Sequence, residues 1–286
     1  MRILGVIGAG VIGTGVAQNF AEYGFPVVLV DICEERLAQS RAEMAKHLRF
    51  QALYKKSDQI RKPDEVIGRI TFTTDYQLLQ DVDWVVENVT ENFEIKKEVY
   101  KKLDAICKPD CMFLVNTSCI SITKIASLTK RPSQIMGAHF MNPVPMKTFV
   151  ECIRGHHTSD ETIRAARELL TSIGKDGVVV SDYPGFVSNR ISHLFMNEAA
   201  FVVQDQVANP QEVDEIFKHC FSHKMGPLET ADLIGIDTVV HSLDVLYESY
   251  QDPKFRCCPL LRKMVDANLL GRKTGQGFYN YQYELV

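Results

Sequence analysis

The sequence predicts an α/β fold in which a doubly wound, mostly parallel, Rossmann-type sheet domain is followed by an all-α helical-bundle domain. Two observations support this prediction. Over the first two thirds of the 286-residue chain, short runs rich in Val, Ile and aromatic residues alternate with longer amphipathic segments, as parallel strands alternate with crossover helices. After Asp182 the strand-like runs stop, and helical spacing continues almost to the end.

Seven short apolar runs are expected to form the strands of the sheet. They are residues 3–7, 27–30, 70–73, 84–86, 112–115, 135–138 and 178–180. The segments between them have helical spacing, and in residues 94–106 the apolar side chains recur on one face of a helix. Buried strands joined by such helices form a parallel sheet with helices on both faces.

The second part of the chain reads as helical. Helices are predicted over residues 186–204, 210–220, 229–250 and 259–268. Pro184, Pro210 and Pro259 stand where the first turn of a helix tolerates proline. The turn signal Tyr183-Pro184-Gly185 marks the domain boundary. We therefore predict a sheet domain over residues 1–182 and a helical domain over residues 183–286.

Composition excludes several classes of protein. The net charge is −4, whereas a nucleic-acid binder usually has a basic surplus, so we expect no nucleic-acid partner. No apolar run reaches the roughly 18 residues of a membrane span, and no signal peptide is recognised, so no membrane association is expected. The eight cysteines match no zinc or redox spacing. We predict reduced thiols, no metal site and a cytoplasmic location.

A glycine-rich turn follows the first predicted strand. Gly8-Ala9-Gly10-Val11-Ile12-Gly13 has the G-x-G-x-x-G spacing between a strand and a helix-like run, which is the setting of a dinucleotide site. Gly8 permits the tight turn, Gly10 lets a pyrophosphate approach the backbone, and Gly13 lets the helix pack closely on the strand. The helix start at Val11 and Ile12 would direct its N–H groups at the phosphates.

The second predicted strand ends in an acid. Asp31 follows Gly13 by 18 residues, close to the spacing of about 20 for the residue that binds the adenosine ribose. Its carboxylate would accept hydrogen bonds from both ribose hydroxyls and would repel a 2′-phosphate. The sequence therefore predicts NAD, rather than NADP, as the cofactor.

Polar residues follow other strands at the same edge of the predicted sheet. Asn116-Thr117-Ser118 and His139-Phe140-Met141-Asn142-Pro143-Val144-Pro145 each come directly after a strand. Glu151 ends the next apolar stretch, and Asn189 would lie in the first turn of the helix at the domain junction. Because ligands of doubly wound sheets bind outside the carboxyl ends of the strands, these residues are candidates for one site.

A histidine beside a carboxylate is a candidate general base, because the acid fixes its tautomer and orientation. His139 and Glu151 fit that description. Taken one at a time, however, all these polar residues also have structural explanations, since Asn, Thr and Ser cap helices and many histidines are simply hydrogen-bonded. The residue pattern alone leaves both interpretations open.

Together, these segments resemble the 3-hydroxyacyl-CoA dehydrogenase family, which includes the bacterial 3-hydroxybutyryl-CoA dehydrogenases. The resemblance covers nearly the whole chain, and so many motifs in order are highly specific. The matching segments are residues 8–13, 85–87, 91–92, 116–118, 139–145, 151, 184–190, 226–228, 232–237 and 271–279.

The resemblance implies NAD-dependent interconversion of a 3-hydroxyacyl thioester and its 3-oxoacyl partner. It implies that His139 is the catalytic base and that Glu151 is its partner. Ser118 and Asn189 correspond to the groups that hold the substrate oxygens, and Asn142 lies in a segment assigned to the substrate site. The family is commonly dimeric through its helical domain, which implies a homodimer.

Three further residues match positions that line the nicotinamide side of the family's cofactor site. They are Glu91, Lys96 and Asn116. The resemblance therefore implies that these residues, with the glycine turn and Asp31, complete the NAD site.

The chain departs from the family pattern at three places. Cys119 stands where many members have a second serine, and Glu229 stands where short-chain CoA enzymes often have an apolar residue. The segment around residues 55–64 looks short, although in the family the helical hairpin there helps to hold the acyl-CoA. These departures leave the redox residues intact, and they affect the prediction of which acyl group and which carrier the protein binds.

The expected substrate is a short-chain acyl thioester carried by CoA. Lys55 and Lys56, with Arg61 and Lys62, form a basic cluster that would bind the CoA phosphates, and a solvated helix face is its structural alternative. The alternative function is the same chemistry on an acyl-carrier-protein-bound or free 3-hydroxy acid in a biosynthetic pathway. A non-catalytic NAD-binding protein is a further alternative, against which the intact pair of histidine and glutamate argues.

Overall fold

The computed structural model describes residues 2–54 and 62–281. The chain divides between Tyr183 and Pro184 into two compact units, which we call the sheet unit and the helical unit. Lys55, Lys56 and Arg61 of the predicted basic cluster lie outside the described residues. Over the described ranges, no helix combines the length and the apolar character that crossing a membrane requires.

The sheet unit is built on one eight-stranded sheet. Its strands are β1 (Leu4–Ile7), β2 (Val27–Val30), β3 (Ile70–Thr73), β4 (Trp84–Glu87), β5 (Met112–Val115), β6 (Ile135–His139), β7 (Phe149–Arg154) and β8 (Asp176–Ser181). They lie in the order β3-β2-β1-β4-β5-β6-β7-β8. Neighbouring strands are parallel except β6 and β7, which are antiparallel. The predicted doubly wound, mostly parallel sheet is confirmed.

The helices of the sheet unit connect its strands, and some of them begin at side-chain caps. They are α1 (Val11–Glu22), α2 (Glu34–Tyr54), α3 (Pro63–Ile67), α4 (Phe93–Ile106), α5 (Ile122–Ala126) and α6 (Asp160–Ser172). The Asn92 side chain accepts a hydrogen bond from the N–H of Ile95 at the start of α4, and Ser159 accepts one from Thr162 at the start of α6. These caps satisfy N–H groups that a helix start leaves without intrahelical partners.

The core of the sheet unit explains why its strands read as continuous apolar runs. Strands β1 and β4 are buried along their whole length, as expected where helices cover both faces of a parallel sheet. Leu4, Phe20, Leu29 and Leu114 have no exposed surface. Each such side chain contributes about 1.5–3 kcal/mol through burial.

The helical unit contains α7 (Ser188–Gln204), α8 (Pro210–Cys220), α9 (Pro227–Ile234), α10 (Ile236–Tyr250) and α11 (Pro259–Asp266). The predicted helical character is confirmed, but the single helix predicted over residues 229–250 is wrong. Gly235 has φ +105° and separates α9 from α10, because a residue with that backbone conformation cannot continue a right-handed helix. Pro184 precedes α7 by four residues rather than standing in its first turn.

A buried carboxylate holds the closing segment of the helical unit. Asp232 has no exposed surface. It accepts hydrogen bonds, each 3.0 Å long, from Phe278 N, Tyr279 N and the Tyr281 hydroxyl. A Cβ atom at Gly277 would lie 2.1 Å from Asp232 Oδ1, so this position requires glycine. The motifs of residues 232–237 and 271–279 therefore have a structural task.

Asp232→Ala is expected to lower the free energy of unfolding by about 3 kcal/mol or more, because each buried donor left without an acceptor costs about 1–3 kcal/mol. The matched control is Asp244→Ala, which breaks the exposed Asp244–Arg262 ion pair, a contact of a class worth about 0–1 kcal/mol. Urea unfolding followed by circular dichroism measures both losses. Equal losses would show that Asp232 does not anchor the segment.

Candidate active site

The histidine and the glutamate meet across the antiparallel pair of strands β6 and β7. His139 lies directly opposite Glu151 in the sheet register, and opposite residues of such a pair point to the same face. His139 Nδ1 is 3.1 Å from Glu151 Oε2, and both residues are 7% exposed. The carboxylate therefore orients the imidazole and selects the tautomer with the proton on Nδ1.

The second ring nitrogen is close to the serine that the sequence singled out. Ser118 Oγ lies 3.3 Å from His139 Nε2. When Nδ1–H is donated to Glu151, Nε2 of the neutral ring is an acceptor and can take a proton. Glu151, His139 and Ser118 thus form one line of polar groups that can move a proton to or from an oxygen placed beside Nε2.

Glu91 organises the loop that carries this serine. Its Oε1 atom accepts hydrogen bonds from the Thr117 hydroxyl at 2.5 Å, from Ser118 N at 3.0 Å and from Cys119 N at 2.9 Å. Charge-assisted bonds of this kind are roughly twice as strong as neutral ones. Glu91 therefore has a task within the protein in addition to the cofactor role that the resemblance implies.

A fully buried ion pair joins the ends of β4 and β5. Lys96 Nζ lies 2.7 Å from Glu87 Oε1 and donates to the Asn116 carbonyl at 3.0 Å, and neither charged side chain has exposed surface. Burial raises the pKa of Glu87, and the ammonium of Lys96 opposes that shift. Asn116 Oδ1 accepts a hydrogen bond from Phe140 N at 3.1 Å, which ties the end of β5 to the residue after His139.

Sequence reasoning recorded Glu87 only as part of a motif and missed its pairing. The available signal was an acid at the end of a strand whose other residues are apolar, because a buried carboxylate requires a charged or hydrogen-bonded partner. Its partner comes from the following helix, α4. Glu87 and Lys96 together support the loop of residues 116–118.

The glycine turn has the geometry that its spacing predicts. Gly8 has φ +90°, and a Cβ atom there would lie 2.8 Å from the carbonyl oxygen of Asn88. A Cβ atom at Gly13 would lie 1.8 Å from the Gly8 carbonyl oxygen, whereas the space beside Gly10 is open. Helix α1 begins at Val11, so a phosphate can approach its N-terminus.

Asp31 is held beside this turn. Its Oδ2 atom accepts a hydrogen bond from Ala9 N at 2.7 Å, and its Oδ1 atom accepts one from Cys33 N at 3.0 Å. The carboxylate thus lies at the carboxyl edge of β1 and β2, where doubly wound sheets bind the ribose of a dinucleotide. Ile32, which sequence reasoning missed, is 88% exposed and offers an apolar surface next to this carboxylate.

The segment after His139 packs against the dinucleotide helix. It contains a cis peptide bond between Asn142 and Pro143 and a 3₁₀ turn, Val144–Met146. A Cβ atom at Gly15 of α1 would lie 3.0 Å from Val144 Cβ. Asn142 is exposed. The segment therefore carries an accessible amide and connects the histidine strand to α1.

Asn189 belongs to the helical unit. It lies in the first turn of α7, and its carbonyl oxygen is 2.9 Å from His193 Nδ1. Its role toward a substrate remains a prediction.

The structure places two of the departures from the family pattern and explains the residue at one of them. Cys119 is 9% exposed and donates its backbone N–H to Glu91, a contact that does not depend on its side chain. Glu229 closes a capping box at the start of α9 by accepting a hydrogen bond from Gly226 N, and it also pairs with Lys218 at 2.8 Å. The Glu229 side chain is therefore engaged within the helical unit.

Two family models match the chain. Residues 3–183 match the model of the 3-hydroxyacyl-CoA dehydrogenase NAD binding domain, and residues 185–281 match that of the 3-hydroxyacyl-CoA dehydrogenase C-terminal domain. The protein is therefore an NAD-dependent oxidoreductase. It belongs to the 3-hydroxyacyl-CoA dehydrogenase family, as its motifs predicted.

Relatives are similar over nearly the whole length. A probable 3-hydroxybutyryl-CoA dehydrogenase of Deinococcus radiodurans is 47% identical, over 97% of this chain and 99% of its own. The 3-hydroxybutyryl-CoA dehydrogenase of Clostridioides difficile is 44% identical, over 97% of this chain and 99% of its own. The crystal structure of (S)-3-hydroxybutyryl-CoA dehydrogenase from Ralstonia eutropha is 41% identical and superposes with a TM-score of 0.93 over 99% of each chain.

Glu91→Gln is expected to lower kcat about tenfold or more. A neutral amide accepts the three hydrogen bonds of the serine loop more weakly, and hydrogen bonds to charged groups contribute about 1.5–3 kcal/mol each. Glu98→Gln, which changes an exposed glutamate on the helix α4 that follows Glu91, is the matched control and should leave kcat unchanged. Steady-state rates with NADH measure both, and an unaltered kcat in Glu91→Gln would refute the loop-organising role.

Proposed function

We propose that the protein interconverts short-chain 3-hydroxyacyl-CoA and 3-oxoacyl-CoA thioesters by hydride transfer with NAD. The observation that carries this proposal is the hydrogen-bonded line of Glu151, His139 and Ser118 on a sheet whose β1–α1 turn is built for a dinucleotide. The names of the relatives, which are 3-hydroxybutyryl-CoA dehydrogenases, support the CoA thioester.

The protein side of the reaction is proton transfer at one nitrogen. In the oxidation direction, neutral His139 takes the proton of the substrate 3-hydroxyl on Nε2, and Glu151 stabilises the resulting imidazolium. In the reduction direction, the protonated ring returns that proton to the developing alkoxide. Ser118 supplies an oriented dipole to the same oxygen. NAD, when bound, accepts or supplies the hydride at substrate C3.

The residues of the sheet unit fit this cofactor. The N–H groups of Val11 and Ile12 would hold the pyrophosphate at the open space beside Gly10, with Gly8 and Gly13 shaping the turn. Asp31 would accept hydrogen bonds from the ribose hydroxyls, and a 2′-phosphate would meet its carboxylate. We propose that the nicotinamide side is lined by Glu91, Lys96 and Asn116.

On the substrate side, we propose that Ser118, Asn142 and Asn189 bind the oxygens of the acyl thioester. Asn189 would be the contribution of the predicted helical domain, residues 183–286, to the substrate. We also propose that the protein is a homodimer formed through this domain, as the family resemblance implies. We also propose a cytoplasmic location, in which the cysteines would be reduced thiols.

Basic residues support CoA as the carrier. Lys55 and Lys56 are proposed to bind its phosphates, together with Lys46 and Arg49 of α2. On that helix, a shallow depression is lined by Ala42, Ala45, Lys46, Arg49 and Phe50. Two cations beside an apolar surface suit a phosphorylated nucleotide better than a free hydroxy acid.

His139→Gln is expected to lower kcat about 10²- to 10⁴-fold while NADH binding is retained, because the amide cannot exchange a proton with the substrate. Glu151→Gln should also lower kcat, since the imidazolium then has no counter-charge. Stopped-flow rates and NADH fluorescence titrations separate the two effects. A near-wild-type kcat in either variant would mean that the pair does not carry the chemistry.

The function is tested by a substrate panel with NADH and with NADPH. Acetoacetyl-CoA with NADH is expected to have the highest kcat/KM, and NADPH should be much the poorer cofactor. The advantage of acetoacetyl-CoA over acetoacetyl-pantetheine should shrink as salt rises, because exposed ionic contacts are screened. A His139→Gln preparation controls for contaminating activity. Better turnover of acetoacetyl-acyl-carrier-protein or of acetoacetate would favour the biosynthetic alternative.

A further inference from the structure

Lys175 is a buried cation that the chemistry described above does not use. It lies between α6 and β8 and is 5% exposed. Its Nζ atom donates to the Val144 carbonyl at 2.7 Å and to the Lys147 carbonyl at 2.5 Å. Among the ion pairs of residues 2–54 and 62–281, none includes Lys175. Its hydrogen-bond acceptors are therefore neutral.

Both carbonyls belong to the segment that follows the catalytic histidine, residues 140–147, which we call the post-catalytic loop. The loop begins next to His139, carries Asn142 and packs its 3₁₀ turn against Gly15 of α1. Asn116 holds its beginning through Phe140 N, and Lys175 holds its end. The loop is thus anchored at both ends by side chains from other parts of the sheet unit.

A buried ammonium needs an explanation, because removing a charge from water is costly unless the charge is hydrogen-bonded. A methionine would fill similar space without that cost. Compared with a methionine, the ammonium of Lys175 provides two charge-assisted hydrogen bonds, which are roughly twice as strong as neutral ones. Their effect falls on the conformation of the post-catalytic loop.

We propose that Lys175 is a positioning residue whose ammonium fixes the post-catalytic loop against α1 and so sets the position of Asn142 relative to His139. This inference rests on the proposed function, which makes the asparagine and the histidine parts of one substrate site. Lys175 itself touches neither substrate nor cofactor in this role.

The charge on this lysine responds to pH. Burial lowers the pKa of Lys175 to about 8, and Glu22 on α1 opposes that shift. Other titratable residues close by are Tyr23, which lies beside Gly174, Lys147 on the loop and Asp176 at the start of β8, and all three are exposed. Deprotonation near pH 8 leaves a neutral amine, which donates more weakly to the two carbonyls.

The oxidation direction isolates this effect, because there His139 acts as a neutral base and is not impaired by rising pH. In wild type, kcat/KM for a 3-hydroxyacyl-CoA is expected to fall as pH rises through about 8. Lys175→Met should lower kcat/KM about tenfold below that pH and should lack the alkaline fall. Lys175→Arg keeps its charge and should move the fall to higher pH. Lys130→Met, which removes an exposed lysine, is the matched control and should keep the wild-type pH profile.

The free energy of unfolding, measured over the same pH range, distinguishes a positioning role of Lys175 from a merely structural one. A lysine in an unfolded chain has a pKa of about 10.4, above the value of about 8 in the folded protein. Between these values the unfolded chain binds more protons, so the contribution of Lys175 to stability rises with pH. Its contribution to kcat/KM should fall over the same range.

The proposal would be overturned if the contributions of Lys175 to stability and to kcat/KM changed in the same direction with pH. It would also be overturned by a folded Lys175→Met variant with wild-type kcat/KM. A wild-type protein that binds NADH but turns over no 3-hydroxyacyl thioester would refute the proposed function instead. In that case, limited proteolysis decides the anchoring role separately. Cleavage within residues 140–147 should then be faster in Lys175→Met than in Lys130→Met, and equal rates would refute the anchoring.

Discussion

The antiparallel pairing of β6 with β7 is the constraint on which the site depends. A strand that continued the parallel order would need a crossover of a dozen or more residues before it could place an acid beside His139. The reversal brings Glu151 back opposite the histidine after a short connection. That connection is the post-catalytic loop, so the same reversal that forms the pair also creates the loop that packs on α1.

Carboxylates organise the backbone around this pair. Glu91 accepts the N–H groups of Ser118 and Cys119, and Asp182 accepts those of Ile122 and Thr123 a few residues later. The segment that contains Ser118 is therefore held at both ends by anions from distant parts of the sheet unit. Donors and dipoles held in this way need little reorganisation when charge develops on a substrate oxygen.

Buried charge is used for position throughout the sheet unit. Glu87 and Lys96 join two strand ends without exposing either charge, and Lys175 joins a helix–strand turn to the post-catalytic loop. Buried charges add little net stability because desolvation offsets their attraction. Their directional hydrogen bonds instead specify one arrangement of loops that apolar packing alone would leave less defined.

The local features of this protein could be predicted from its amino-acid sequence. The strand, glycine turn, helix and terminal acid of residues 3–31 are recognisable because short-range sterics and helix-end electrostatics require those residues at those spacings. The sheet class, the helical second part and the candidate His139 and Glu151 follow from the same local patterns and from the family motifs. The antiparallel pairing of β7 with β6, the break between α9 and α10 at Gly235, and the hydrogen-bond partners of Glu91 and Lys175 became visible only in the three-dimensional structure. Those contacts join residues about 30 positions apart, and strand register and loop packing, which no local pattern encodes, bring such residues together.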